Sequence, residues 1–164
     1  VGSAGGRSLR RCFSDHLRIN GDFEAKVKEY LDDFVSRDHF VIPEAIALNQ
    51  ALKENVFAVV VCTQTEVPIG IIGSPGSSKT LAYHIARDNL LGKVNSPTEF
   101  CKQFDKIDTF FYQCSRYSTS TDIEGVFRNA VQRQTYYDEQ QAQSAKAGQR
   151  TRCIVFLDEA GLTP

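Results

Sequence analysis

The chain has 164 residues, enough for one domain with a buried core, and 41% of them are hydrophobic while 24% are charged. Its formal net charge of −1 gives no electrostatic reason to expect a nucleic acid or an anionic membrane as partner. The longest apolar run, Val56–Cys62, is too short to cross a bilayer, and Val1–Cys12 lacks the apolar segment of a secretory signal. The composition indicates an ordinary globular domain without a transmembrane segment.

The sequence begins with Val and contains no Met, so we expect it to be a piece of a longer protein. Five cysteines, an odd number without a C-x-x-C pair, argue against a disulfide framework or a zinc site. They are Cys12, Cys62, Cys101, Cys114 and Cys153. This usage predicts a reducing, cytosolic compartment.

The first part of the chain predicts a linker followed by two helices. Residues 1–21 are rich in Gly, Ser and Arg without periodicity, as is typical of a linker, although the arginines could contact an acidic partner. Asp22–Asp38 has apolar residues at helical spacing and predicts an amphipathic helix. Pro43 suits the first turn of a second helix, which we expect to reach about Thr63. Its Val-rich end, Phe57–Cys62, could instead be a buried strand, because periodicity does not decide a short apolar run.

The second part of the chain alternates strands with helices. Short apolar runs predict three buried strands, at Val67–Ile72, Thr109–Cys114 and Thr151–Leu157. Helices are predicted at about Lys79–Leu91, at Ser96–Asp105, and from a capping box of Thr121 and Glu124 to about Tyr137. The polar residues Asp138–Arg150 either extend the last helix or form a surface loop. This alternation indicates βαβ units and a parallel sheet covered on both faces.

The segment Gly73-Ser-Pro-Gly-Ser-Ser-Lys-Thr80 stands between a predicted strand and a predicted helix, the context of a Walker A loop. Glycines let backbone N–H groups converge on phosphate oxygens, and the helix N-terminus adds partial positive charge. Lys79 would contact the β- and γ-phosphates, and the Thr80 hydroxyl would bind Mg²⁺. Ser78 replaces the usual second Gly and could restrict the backbone, yet we expect phosphate binding to survive. The predicted ATP-binding residues are Gly73, Ser74, Pro75, Gly76, Ser77, Ser78, Lys79, Thr80 and Leu81.

Five apolar residues, Cys153–Leu157, run directly into Asp158 and Glu159, which is the Walker B form. A buried parallel strand would deliver both acids to the carboxyl edge of the sheet, where ligands of open α/β folds bind. Asp158 is predicted to hold Mg²⁺, and Glu159 to orient and deprotonate the attacking water. Two surface acids at a strand end are the alternative. Lys79 and Glu159 are therefore the predicted catalytic residues of an ATPase.

Other polar residues are weaker candidates. Gln113 and Ser115 end the second predicted strand, where they could gate Glu159 by hydrogen bonding, but a plain strand end and helix cap is the favoured interpretation. His84 is expected to be structural. Neither of the other two histidines, His16 and His39, has partners suggesting a metal site or a triad.

Four stretches share a pattern with known proteins: Leu48–Val61, Gly73–Ala82, Tyr112–Thr119 and Val155–Leu162. Together they resemble the mysterin family of giant RING-finger AAA+ ATPases and ubiquitin ligases, over about Pro43–Pro164. The most specific parts are the Pro-Gly-Ser-Ser-Lys-Thr loop, which shares the Ser78 departure, and the Gln-Cys-Ser segment. The resemblance implies one AAA+ module of several in a very long chain.

This resemblance implies a P-loop NTPase fold of AAA+ type, with strand order 5-1-4-3-2, the phosphate loop on strand 1 and the acidic pair on strand 3. It divides the chain into a linker (1–21), N-terminal helices (22–66) and an incomplete nucleotide-binding core (67–164) that lacks strand 4 between strands 1 and 3. The isolated piece is therefore expected to be poorly stable and inactive. Ubiquitin machinery, neighbouring modules and lipid droplets would be partners of the parent protein.

Three functions compete at this point. The first is an ATP- and Mg²⁺-dependent hydrolysing module that couples nucleotide state to conformational change. The second is a regulatory or scaffold module that holds ATP without turnover. The third, a small-molecule P-loop kinase, is disfavoured by Glu159, since such kinases usually need no carboxylate there.

Overall fold

A computed structural model describes residues 23–74, 76–143 and 150–162. Within them the protein is α/β. Its helices are α1 (Phe23–Phe34), α2 (Gln50–Thr65), α3 (Lys79–Asn89), α4 (Gly92–Asn95) and α5 (Ser120–Gln143), and its strands are β1 (Lys106–Gln113) and β2 (Thr151–Asp158). Two 3₁₀ turns cover Cys101–Gln103 and Ala160–Leu162. The predicted linker, residues 1–21, lies outside the described residues.

The second helix begins later than predicted. Residues after α1 form an irregular connection that Arg37 holds by donating to the carbonyl oxygens of Ile42 and Ile46, each at 2.7 Å. The prediction that Pro43 opens the helix is therefore wrong. α2 begins only at Gln50, where the Asn49 side chain caps it by accepting the N–H of Leu52 at 2.9 Å.

The Val-rich end of α2 is helical, so the strand alternative for Phe57–Cys62 is wrong. Residues at helical spacing turn into the core along this helix: Leu52, Val56, Val59, Val60 and Thr63. The helix ends at Glu66, whose φ of 60° is left-handed and whose N–H donates to the carbonyl of Cys62.

The hydrophobic core joins the N-terminal helices to α3 and the start of β1. Its fully buried members are Val35, Phe40, Leu52, Val56, Val60, Ala82, Ala86, Leu90 and Cys101. Asn89 is also fully buried, and its side chain accepts the Val41 N–H at 2.7 Å and donates to the Val41 carbonyl at 3.0 Å. The Asn89 side chain thus supplies the Val41 N–H and C=O with the hydrogen bonds that a neighbouring strand would otherwise supply.

The two strands are parallel, with Lys106 opposite Thr151 and Gln113 opposite Asp158. On one face Tyr83 of α3 stacks on Phe156 with ring centroids 4.1 Å apart. On the other face Tyr137 of α5 donates to Asp108 at 2.8 Å. The predictions of two parallel strands with helices on both faces are therefore confirmed, within a few residues at each end. Their predicted burial is not, because every residue of β2 is only half-buried and Phe111 of β1 is exposed.

The first predicted strand, Val67–Ile72, is wrong as a strand of this sheet. These residues are irregular, and Val67, Ile69 and Ile72 are exposed, Ile72 completely. A groove of about 980 Å³ is lined by this segment on one side and β2 on the other. A strand forms only beside a neighbour about 4.8 Å away, and the described residues supply none there. The sheet they form has two strands, in the order β1-β2.

Two local predictions in the second half are also wrong. The predicted helix Ser96–Asp105 is reduced to a 3₁₀ turn at Cys101–Gln103. The cap of α5 is formed by Thr119 and Asp122 instead of Thr121 and Glu124: the Thr119 N–H donates to Asp122 Oδ2 at 2.8 Å, and the Asp122 N–H donates to Thr119 Oγ1 at 3.3 Å.

The last helix extends well beyond its predicted end. α5 runs to Gln143, so the first part of the polar stretch is a helical extension, and residues 144–149 lie outside the described residues. Among helices of the described residues, none has the length and apolar character needed to cross a bilayer. The described cysteines, Cys62, Cys101, Cys114 and Cys153, are free thiols.

Candidate functional site

The Gly/Ser loop joins the irregular segment to α3 through two left-handed residues. Gly76 has φ 79° and Ser78 has φ 62°. Ser78 thus adopts the conformation that Gly takes without strain, at the position where the usual pattern has Gly. A Cβ on Gly73 would lie 2.8 Å from Ser77 Oγ, so this position tolerates no larger residue without a shift. Pro75 lies outside the described residues.

Lys79 folds back over its own loop. Its Nζ donates to the carbonyl oxygens of Gly73 and Ser74, both at 2.9 Å, and to Ser77 Oγ at 3.1 Å. These partners are neutral oxygens, whereas a phosphate would offer anionic ones, which accept more strongly. The ammonium is therefore held at the loop and can exchange its present partners for a bound phosphate.

Thr80 and Asp158 meet at the edge of the sheet. Thr80 lies in the first turn of α3, and its Oγ1 donates to Asp158 Oδ2 at 3.0 Å and Oδ1 at 3.2 Å. Asp158 is the last residue of β2. The fold thus brings together the hydroxyl and the carboxylate that the sequence analysis proposed as magnesium ligands.

These two groups fit Mg²⁺ bound together with a nucleotide. Magnesium prefers hard oxygen ligands and commonly takes only one or two from the protein, with waters and phosphate oxygens completing the octahedron. In the described part of the chain, no group of three or more His, Cys, Asp or Glu side chains is arranged to hold a metal ion.

Glu159 is held by Gln113. The Gln113 Nε2 donates to Glu159 Oε2 at 2.8 Å, and the Glu159 backbone, at φ 54°, donates its N–H to Asp158 Oδ1 at 3.0 Å. Gln113 is the last residue of β1, opposite Asp158 in the register. The hydrogen bond between Gln113 and Glu159, the less favoured of the two predicted roles of Gln113, is therefore formed.

Ser115 neither contacts Glu159 nor caps a helix, so both of its predicted roles are wrong. Its N–H donates to Ser118 Oγ at 2.9 Å, and its own Oγ accepts the Tyr117 N–H at 3.2 Å. These contacts close the turn that leads from β1 toward α5. Ser115 therefore shapes a turn, while Gln113 alone of the two contacts Glu159.

The described histidines pack against aromatic rings. His39 stacks on Phe100 with ring centroids 4.0 Å apart. His84 lies near Tyr83, and its buried Nδ1 has no hydrogen-bond partner among the described residues. His16 lies outside the described residues.

One polar contact with the loop was not predicted from the sequence. The Asn55 Nδ2, from the middle of α2, donates to the carbonyl oxygen of Ser77 at 2.9 Å. The available signal was a polar residue next to Val56 on the border of an apolar helix face, which is too common to single out.

The sequence-family model described as the RNF213 AAA domain matches residues 45–164 of the chain. The chain belongs to this family. The chain is 36% identical over 125 residues to the E3 ubiquitin-protein ligase RNF213 of Homo sapiens, covering 76% of this chain and 2% of that protein. It is 32% identical over 155 residues to the E3 ubiquitin-protein ligase rnf213-beta of Danio rerio, covering 94% of this chain and 3% of that protein.

The mouse relative gives the same result. The chain is 36% identical over 117 residues to the E3 ubiquitin-protein ligase RNF213 of Mus musculus, covering 71% of this chain and 2% of that protein. The chain thus spans 2% to 3% of the length of these relatives. The resemblance to mysterin, which is RNF213, is confirmed by these matches.

Proposed function

We propose that this RNF213 AAA domain binds ATP with Mg²⁺ and hydrolyses it. The observation that carries the proposal is the hydrogen bond between Thr80 and Asp158, 3.0 Å long. It joins the end of the phosphate loop to the end of β2, although 78 residues separate the two in sequence. A hydroxyl and a carboxylate next to a Gly/Ser loop that carries a Lys are the side chains that recur in the nucleotide sites of P-loop NTPases.

Binding would begin at the loop. Backbone N–H groups of the described loop residues would contact phosphate oxygens, and the N-terminus of α3 would add its partial positive charge. Lys79 leaves the carbonyl oxygens of Gly73 and Ser74 and contacts the phosphates. Thr80 and Asp158 would be the residues that hold Mg²⁺, which would neutralise phosphate charge there.

Hydrolysis would depend on Glu159. A carboxylate one residue beyond the metal-binding acid is placed to orient and deprotonate the attacking water. Its hydrogen bond from Gln113 occupies one lone pair of Oε2 and fixes the orientation of the carboxylate, while Oε1 keeps its lone pairs. We therefore propose that Gln113 restrains Glu159 until the bond opens, and that turnover requires this opening.

A further strand would complete the site. The outer edge of β2 is satisfied at its start by α5: the Cys153 N–H donates to Gln134 Oε1 at 2.7 Å, and Gln134 Nε2 donates to the Thr151 carbonyl at 3.1 Å. Beyond Gln134 the edge faces the groove next to Val67–Ile72. A strand from the parent protein, as the resemblance implies, would pair there and order Val67–Ile72 as its other neighbour.

In the parent protein this domain would act as one module of a mysterin-like ubiquitin ligase. ATP binding and turnover would change its shape and pass the change to neighbouring AAA+ modules and to the ubiquitin machinery. The cytosol, with lipid droplets as a place of association, is the compartment that the family resemblance implies.

A non-hydrolysing regulatory module is the second candidate. The observation that favours it is the hydrogen bond from Gln113, which occupies the carboxylate that hydrolysis needs. In that case the site would hold ATP as a structural ligand, and Glu159 would remain bound to Gln113 in the nucleotide-loaded protein.

The substitution Glu159→Gln in the full-length protein tests the proposal. It keeps the shape of the side chain and removes the base, so ATP binding should persist while turnover at this module falls by about 100-fold or more. Nucleotide occupancy is read by photo-crosslinking an azido-ATP to the loop, and turnover by phosphate release. Unchanged total turnover would favour the regulatory module, and absence of crosslinking in the unsubstituted protein would refute nucleotide binding.

A further inference from the structure

Asn55 reaches the phosphate loop from outside it. It lies in the middle of α2, half-buried, beside the buried Val56. Its Nδ2 donates to the carbonyl oxygen of Ser77 at 2.9 Å, across 22 residues of sequence. The carbonyl oxygens of Gly73 and Ser74 accept hydrogen bonds from Lys79, which follows the loop directly in the chain. The Ser77 carbonyl instead accepts from α2, a separate helix that is anchored in the core.

The Ser77 carbonyl belongs to the peptide group that leads into Ser78. The chain has no cis peptide bond in the described residues, so the C=O of Ser77 and the N–H of Ser78 point in opposite directions within one plane. By holding the carbonyl toward α2, Asn55 turns the Ser78 N–H away from α2. The orientation of one loop amide is thereby fixed by a side chain from another helix.

This control matters because Ser78 is strained. Its φ of 62° is a left-handed conformation that a residue with a Cβ adopts at a cost and keeps only when the surroundings impose it. A hydrogen bond to the preceding carbonyl opposes rotation of the Ser77–Ser78 peptide toward a relaxed conformation. Asn55 thus supplies at this position a restraint that compensates for the missing glycine.

We infer that Asn55 is a positioning residue for nucleotide binding, which holds the Ser77–Ser78 peptide so that the Ser78 N–H faces the phosphate. The inference rests on the proposed function, because it assumes that phosphate occupies the loop. Asn55 itself would not contact the nucleotide. Its removal should weaken ATP binding through the loop alone and leave the core packing of α2 in place.

The test is hydrogen exchange of the full-length protein, measured by mass spectrometry on the peptide covering residues 73–82 during titration with ATP and Mg²⁺. Asn55→Leu keeps the approximate shape of the side chain and removes its donor. It should raise the half-saturating ATP concentration by about five- to tenfold, as expected for one lost hydrogen bond. Exchange in α2 without nucleotide should stay the same.

Gln64→Leu is the matched control. Gln64 lies on the same helix and also bonds a distant backbone, donating to the Asp105 carbonyl at 3.2 Å and accepting the Asp105 N–H at 2.8 Å. That contact lies at the other end of α2, so this variant should lower stability without moving the ATP midpoint. An equal shift in both variants would overturn the inference, because it would mean that any loosening of α2 weakens binding.

The outcomes separate the two proposals. If the unsubstituted protein shows no ATP-dependent protection in residues 73–82, the proposed function fails. If it shows protection and Asn55→Leu leaves the midpoint unchanged, the role of Asn55 fails while nucleotide binding stands. If Asn55→Leu exposes α2 to exchange, Asn55→Ala is measured instead, and unfolding in both variants would assign Asn55 to the fold and overturn the positioning role.

Discussion

The Thr80 hydroxyl donates to both carboxylate oxygens of Asp158, at 3.0 Å and 3.2 Å, where the first turn of α3 meets the end of β2. Parallel strands end at the same edge, and the helix after the loop starts at that edge, so the two side chains are held by rigid elements on both sides. The contact places a hydroxyl and a carboxylate where one magnesium ion could bind both.

Asp158→Asn should weaken ATP binding only when magnesium is present. The substitution keeps one side-chain oxygen and removes the negative charge, so the metal-dependent part of the affinity should fall by about 10- to 100-fold. ATP titrations of the full-length protein with Mg²⁺ and with EDTA would measure the difference. Thr80→Ser keeps the hydroxyl and serves as the control with little change. An equal loss in EDTA would contradict the magnesium role.

Gln113→Ala should raise basal ATP turnover by about threefold or more. Loss of the 2.8 Å hydrogen bond frees the Glu159 carboxylate to turn toward the attacking water. Phosphate release by the full-length protein measures the change, with Ser115→Ala as a control that alters the neighbouring turn without touching Glu159. A fall in turnover would show instead that Gln113 holds Glu159 in its productive position.

Ser78→Gly should stabilise the loop. Glycine adopts the φ of 62° without the Cβ penalty, and we expect a gain of about 0.5 to 1 kcal/mol, partly offset by the larger conformational entropy of Gly in the unfolded chain. The expected readouts are slower hydrogen exchange in residues 76–82 and tighter ATP binding. Ser74→Gly adds the same flexibility at a residue whose own φ is not left-handed, and should have the opposite effect. Faster exchange in Ser78→Gly would show that the left-handed conformation of Ser78 does not strain the loop.

Cys153 should react with alkylating reagents only at strongly alkaline pH. Burial, followed by the charge of Asp108, raises the pKa of the Cys153 thiol to about 11, and only the thiolate is nucleophilic. Mass spectrometry of full-length protein treated with iodoacetamide should therefore give a half-maximal rate near pH 11, against about 8.5 for an ordinary thiol. Asp108→Asn should lower this midpoint while burial keeps it above the ordinary value.

The raised pKa of the Cys153 thiol makes the free energy of unfolding fall at alkaline pH. Because the folded chain holds the Cys153 proton more tightly than the unfolded chain, its contribution is fully present below about pH 8.5 and is lost as the pH rises through about 11. Cys153→Ala should flatten the fall in the free energy of unfolding over that window. A fall of the same size in the variant would assign the loss to other groups, such as Tyr137, whose pKa is also raised by burial.

The sequence by itself determined the chemistry of the candidate site. Lys79, Thr80, Asp158 and Glu159 were selected because few functions need those side chains at those places relative to a strand and a helix. β1, β2 and α3 were predicted to within a few residues because their apolar periodicity is strong and short-range. The family membership follows from the same local motifs.

Only the tertiary structure decided what depends on partners distant in the chain. Val67–Ile72 has the composition of a buried strand, yet a strand needs a hydrogen-bonded neighbour, and no strand of the described residues pairs with it. Pro43 fits a helix start locally, but Arg37 and Asn89 satisfy the backbone there in another way. Gln113 and Asn55 contact the site through single side-chain hydrogen bonds, whose partners lie 46 and 22 residues away. No local pattern records such contacts, because their geometry is set by the packing of whole helices and strands.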